Sequence, residues 1–172
     1  IQIITKCGIM MPSDQRPNIK EKHYDYSIDH VCKSVENSLL ALRTEYIDLL
    51  LLHRPSPLMD PEVIGEAIAK LKESGKVLHI GVSNFTPSQV DLIRPVTPVM
   101  ANQIEISPTA ISSFTDGVLD QCLLHHITPM AWSPLAGGKI FGLLSHPDDL
   151  KRRHQLLEIA KKYGWELDYM IY

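Results

Sequence analysis

The run Asp48-Leu49-Leu50-Leu51-Leu52-His53-Arg54-Pro55 constrains the fold more than any other stretch of the chain. Four consecutive leucines make an apolar segment of strand length, opened by an acid and closed by His53 and Pro55. A short continuous apolar run between breakers suits a strand covered on both faces, as in a parallel sheet. Periodicity alone leaves a buried helix open, but the run is short and Pro55 stops its continuation. A histidine at the C-terminal end of a buried parallel strand stands where α/β folds place their chemistry.

Strand-like and helix-like stretches alternate around this run. Residues 1–5 are β-branched and apolar and end at Cys7-Gly8, a strand signature. Residues 8–27 form a loop with Pro12, Pro17 and many charges, longer than a bare connector and therefore read as functional. Asp25 or Ser27 caps a helix that puts Ile28, Val31, Val35, Leu39 and Leu42 on one face. Pro61 after Asp60 starts a second helix with Val63, Ile64, Ala67, Ile68 and Leu71 as its apolar face, and Gly75 stops it. A strand over residues 77–82, a short helix from Thr86-Pro87 to Arg94 and a strand over residues 99–106 follow. A helix starting at Thr115 or Asp116 and ending near His125 leads to a strand over residues 128–132 and the turn S-P-L-A-G-G. One more helix runs from Pro147-Asp148 to Tyr163-Gly164, and another begins at Trp165.

Strict alternation of strand and helix means parallel strands joined by right-handed crossovers. No G-x-G-x-x-G follows the first strand, which argues against a Rossmann domain. The expected fold is therefore α/β, a partial (β/α)8 barrel of about five βα units. A whole barrel runs to about 250 residues, against 172 here. The chain opens on Ile1 without an initiator Met and closes on Tyr172 inside an aromatic stretch, so it reads as the central part of a barrel, truncated at both ends.

Composition narrows the function classes. Seventeen basic against twenty acidic residues give a net charge of -3, which offers no footprint for nucleic acid or an anionic membrane. No apolar run reaches the length of roughly 18 residues that a membrane span needs. Cys7, Cys32 and Cys122 are few, odd in number and without metal or disulfide spacing, so a reducing compartment, the cytoplasm, is expected and a metal is not.

A barrel keeps its active site at the C-terminal ends of its strands. Those ends carry Lys6, then His53, then Ser83 and Asn84, then Asn102, Gln103 and Glu105, and last Trp132, Ser133 and the glycine turn. Lys6 and His53 fall at the same end of neighbouring strands, about 4.8 Å apart in the pairing direction, and suit an acid–base pair. Each alone is equally a solvated strand-end lysine or a hydrogen-bonded core histidine. Ser83, Asn84 and Gln103 can pair with a carboxamide, which has both donor and acceptor; Ser83-Asn84 also reads as a helix cap. Trp132 offers a face for a ring, or fills a core. The turn at residues 133–138 can turn backbone N–H groups toward a phosphate, although one Gly-Gly pair is a weak signal.

The motifs I-I-T-K, D-L-L-L-L-H-R-P, G-K-V-L-H-I-G-V-S-N-F, N-Q-I-E-I-S-P and A-W-S-P-L-A-G-G, in this order, resemble an aldo-keto reductase, and within that superfamily the bacterial oxidoreductases. The resemblance covers essentially the whole chain. It implies a (β/α)8 barrel that binds NADPH and reduces aldehydes or ketones, with a catalytic set of Asp, Tyr, Lys and His. Lys6 matches the lysine and His53 the histidine. Ser83, Asn84 and Gln103 match the residues that hold the nicotinamide carboxamide, and Trp132 the aromatic that stacks on its ring. Ser133, Pro134, Leu135, Ala136 and Gly137 match the loop along the pyrophosphate.

In the family the Asp and Tyr precede the lysine strand, and the residues that grip the 2′-phosphate lie near the last barrel strand. Neither set has a counterpart here, and Tyr24 and Tyr26 follow the lysine, so the 172 residues alone are expected to be inactive. Two other readings stay open: a cofactor-binding regulatory subunit of the same fold, and a barrel hydrolase or aldolase using Lys6 as a Schiff base.

Overall fold

The structure is a computed structural model that describes residues 1–14, 17–142 and 147–171. Five parallel strands form its frame: β1 (Ile4–Cys7), β4 (Ile47–Leu52), β5 (Val77–Ser83), β6 (Val99–Glu105) and β7 (Thr128–Trp132). They lie in that order, each paired with the next in sequence. The two short strands β2 (Ile9–Met10) and β3 (His23–Tyr24) pair antiparallel beside them. The helices are α1 (Ile28–Leu42), α2 (Pro61–Glu73), α3 (Pro87–Ile93), α4 (Val118–Leu124), α5 (Pro147–Tyr163) and α6 (Leu167–Ile171). Strands in sequential order, joined by helices, are the wall of a (β/α)8 barrel, so the fold is a partial barrel as expected.

Local chemistry explains where the main helices start. Ser27, rather than Asp25, is the N-cap of α1, and its side chain accepts from the N–H of His30. Asp60 accepts from Glu62 and Val63 at the start of α2, with Pro61 at the first position. Each satisfies donors that the first turn leaves without a partner.

The pleat sorts the strand residues onto two faces. Leu50, Leu52, Ile80, Val82 and Ile104 pack outward against Val31, Val35 and Leu39 of α1, Ile64, Ala67, Ile68 and Leu71 of α2, and Val90 and Ile93 of α3. Burial of each large side chain there contributes about 1.5–3 kcal/mol. The register puts Ile4 and Lys6, Leu49 and Leu51, Gly81 and Ser83, Ala101 and Gln103, and Met130 and Trp132 on the other, barrel-lining face. Gly81 has to be glycine at this seam: an added Cβ would lie 2.6 Å from Leu51 Cδ2 and 2.7 Å from the Ala101 carbonyl oxygen.

The largest departures from the sequence expectation lie at two element boundaries. The first strand is β1 at Ile4–Cys7, shifted toward Lys6 because pairing with Leu49 to Leu52 sets its limits. The helix expected from Thr115 or Asp116 starts at Val118, after a 3-10 turn (Ser112–Phe114) and Gly117 in a left-handed conformation. Asp116 still acts at that start, accepting from the Val118 N–H at 3.0 Å. Among the described residues no helix is long and apolar enough to cross a membrane.

Candidate active site

The C-terminal ends of the five strands gather the polar residues that the sequence singles out. Lys6 pairs in register with Leu51, so His53 lies two residues farther along its strand than a partner directly opposite Lys6. The His53 N–H donates to the Cys7 carbonyl at 2.9 Å, which locks the strand end against β1. Lys6 and His53 line one cavity of about 250 Å³ with Cys7, Gly8 and residues of α1. Parallel strands are staggered, which replaces the straight pair expected from sequence with a diagonal one.

Electrostatics couples the two. Burial lowers the Lys6 ammonium below its usual 10.5, and the Arg54 guanidinium pushes the same way. His53 is held below 6.5 by burial, then by the positive charges of Lys6, Arg54 and Lys22. The imidazole is thus favoured in its neutral form, with one ring N–H to donate.

Ser83 and Gln103 are register partners on β5 and β6. Ser83 is 2% exposed, and its Oγ accepts from Asn84 Nδ2 at 3.0 Å. That bond leaves the Ser83 hydroxyl proton to donate elsewhere. Gln103 Oε1 is buried and has no hydrogen-bond partner among the described residues. Asn84 carries φ +56°, and its Oδ1 accepts from Trp132 Nε1 at 3.0 Å. Its side chain therefore ties Ser83 to the indole. Asn102 faces away from Gln103: fully buried, it donates to the Phe85 carbonyl at 3.0 Å and shapes the turn from behind.

After Trp132 the chain turns through Ser133 (φ 56°), Pro134, Leu135, Ala136 (φ 52°), Gly137 (φ 64°) and Gly138 (φ 80°). Ala136 N–H donates to the Ser133 carbonyl at 2.8 Å and Gly138 N–H to that of Leu135 at 2.9 Å. Ala136 is buried, whereas Gly137 and Gly138 are exposed. Among the described residues, three of the five non-glycine residues with positive φ, namely Asn84, Ser133 and Ala136, sit at these two strand ends. Strain of this kind costs about 1–3 kcal/mol per residue and clusters at functional sites.

Sequence reasoning missed two residues here. The Arg54 guanidinium lies over the Trp132 ring, 5.4 Å from its centroid. Tyr26 is buried and anchors Arg54 from below: its hydroxyl donates to the Arg54 carbonyl at 2.5 Å and accepts from the Arg54 N–H at 3.3 Å. Burial pushes the Tyr26 phenol well above its usual range. Position beside His53 was the available signal for Arg54; nothing in the local pattern marks Tyr26.

Among the described residues no group of three or more His, Cys, Asp or Glu side chains could hold a metal. The arrangement instead offers a neutral imidazole beside an ammonium, an orphan acceptor paired with a spare donor, and a fixed indole.

Comparisons with known proteins bear on the family and the fold. The model of the "Aldo/keto reductase family" matches residues 1–170. "Uncharacterized oxidoreductase YcsN" of Bacillus subtilis is 50% identical over 143 residues, covering 82% of this chain and 48% of that protein. A 6-dehydroglucose reductase of Agrobacterium fabrum is 45% identical over 143 residues, again 82% of this chain and 48% of its own length. The chain thus spans about half the length of the curated relatives it matches. In fold it is similar to the glycerol dehydrogenase AKR11B4 of Gluconobacter oxydans, with a TM-score of 0.82 at 24% identity over 96% of this chain and 57% of that one. This chain belongs to the aldo/keto reductase family.

Proposed function

We propose that the protein reduces an aldehyde or ketone with NADPH, giving the alcohol and NADP⁺ with uptake of one proton. The observation that carries this reading is the Ser83–Gln103 pair. A carboxamide presents an NH₂ and a C=O side by side. Gln103 Oε1, buried and unpaired, can accept from the NH₂, and the spare Ser83 hydroxyl can donate to the C=O. An unpaired buried acceptor costs about 1–3 kcal/mol, which a bound carboxamide would recover. Trp132, fixed by Asn84, supplies the flat surface for a ring. Residues 133–137 would run beside the phosphates.

When bound, the nicotinamide supplies the hydride equivalent; the protein supplies binding, orientation and electrostatics. His53, neutral and held at the strand end, orients the carbonyl oxygen through its ring N–H. Lys6 places positive charge where negative charge grows on that oxygen.

The test uses the full protein. NADPH titrated against tryptophan fluorescence should quench it, and Gln103→Leu should weaken binding about tenfold, the worth of one buried hydrogen bond. Absence of NADPH binding, or an unchanged affinity in Gln103→Leu, would overturn the carboxamide assignment.

A further inference from the structure

We infer that Arg54 forms a carboxylate subsite beside the reacting carbonyl, so that the preferred substrates are aldehydes or ketones carrying an acid group. The inference rests on the reductase reading and names the substrate class of that same site. Three observations point to it. First, the root of the side chain is fixed, because both main-chain polar groups of Arg54 are bonded to the Tyr26 hydroxyl. Second, the guanidinium lies over Trp132, its Cζ 5.4 Å from the ring centroid. The ring is no hydrogen-bond partner for the N–H groups, so a guanidinium held beside it keeps its N–H fork for a planar bidentate acceptor. Third, positive charges gather here without ion-pair partners among the described residues. Arg54 acts with Lys6 and Lys22 on His53. Among the described residues neither Arg54 nor Lys6 forms an ion pair. Glu105, the register partner of Trp132, forms none either. Anion recognition by a preorganised arginine in such a setting is selective, because a neutral analogue leaves the fork unpaired.

The experiment compares 4-carboxybenzaldehyde with its methyl ester, two substrates that match around the carbonyl and differ in charge. kcat/KM is measured for each with NADPH, on the full wild-type protein and on its Arg54→Leu and Arg54→Lys variants. The wild type should prefer the acid by about 10- to 100-fold, the worth of a charge-assisted pair. Arg54→Leu should bring the acid-to-ester ratio to about one. Arg54→Lys, which keeps the charge but loses the fork, should fall between and gives a second reading if the leucine variant does not fold. Reduction of the ester with no preference for the acid in the wild type, or a preference that survives in the folded Arg54→Leu variant, would overturn the subsite while leaving the reductase reading intact. Reduction of neither aldehyde by the wild type would overturn the reductase reading and the subsite with it.

Discussion

Gly8 carries φ +100°, and a Cβ placed on it would lie 2.2 Å from Tyr26 Cε1, 2.4 Å from Cζ and 2.7 Å from the hydroxyl oxygen. Gly8→Ala therefore does two things. It asks an L-residue to hold a left-handed backbone, at about 1–2 kcal/mol. It also drives the Tyr26 ring away from Arg54 and strips two part-buried bonds, at about 1–3 kcal/mol. The expected loss is about 2–5 kcal/mol, read by urea unfolding of the full protein. Tyr26→Phe removes the hydroxyl without the clash and should cost only the second part. In the double variant the two effects should be less than additive, because Gly8→Ala already displaces the hydroxyl. A Gly8→Ala protein within 0.5 kcal/mol of wild type, or strict additivity with Tyr26→Phe, would refute the claim that this glycine exists to seat Tyr26 under Arg54.

Two further predictions concern side-chain chemistry. Burial, reinforced by Cys32, pushes the Cys7 thiol up to about 12, so Cys32, which is partly exposed, should be alkylated by iodoacetamide in the native protein at pH 8 long before Cys7; equal labelling by mass spectrometry would contradict the packing at β1. The His53 ring should titrate by NMR with a midpoint below 6.5 that moves up in Arg54→Leu, since burial and the charges of Lys6, Arg54 and Lys22 hold it down. As the pH falls through 6.5 the unfolded chain binds that proton first, so the native state loses stability from there downward and gains none above it; an unmoved midpoint would remove Arg54 from the site.

Where a residue's own chemistry dictates local structure, the sequence was readable. Asp60-Pro61 starts α2, Ser27 caps α1, and the leucine run is the buried strand β4 with Leu50, Leu51 and Leu52 at most 1% exposed. The strand ends then followed from alternation, which brought Ser83 and Gln103 into register. What stayed hidden depends on contacts between distant residues. The strands β2 and β3 have two residues each, too few to show a period. Tyr26 meets Arg54 across 28 positions, and Arg54 reaches a tryptophan from another strand end. The diagonal offset of Lys6 and His53 comes from strand stagger, which no single strand encodes.

The most direct measurement is turnover by Lys6→Met in the full protein, followed by NADPH consumption with an aldehyde and, in parallel, by NADPH binding. Turnover is expected to vanish while NADPH still binds with an affinity close to wild type, because the proposed mechanism assigns Lys6 to the reacting oxygen and Ser83, Gln103 and Trp132 to the cofactor. Normal turnover in Lys6→Met would contradict the assignment of Lys6 and, with it, the reductase mechanism built on these strand ends.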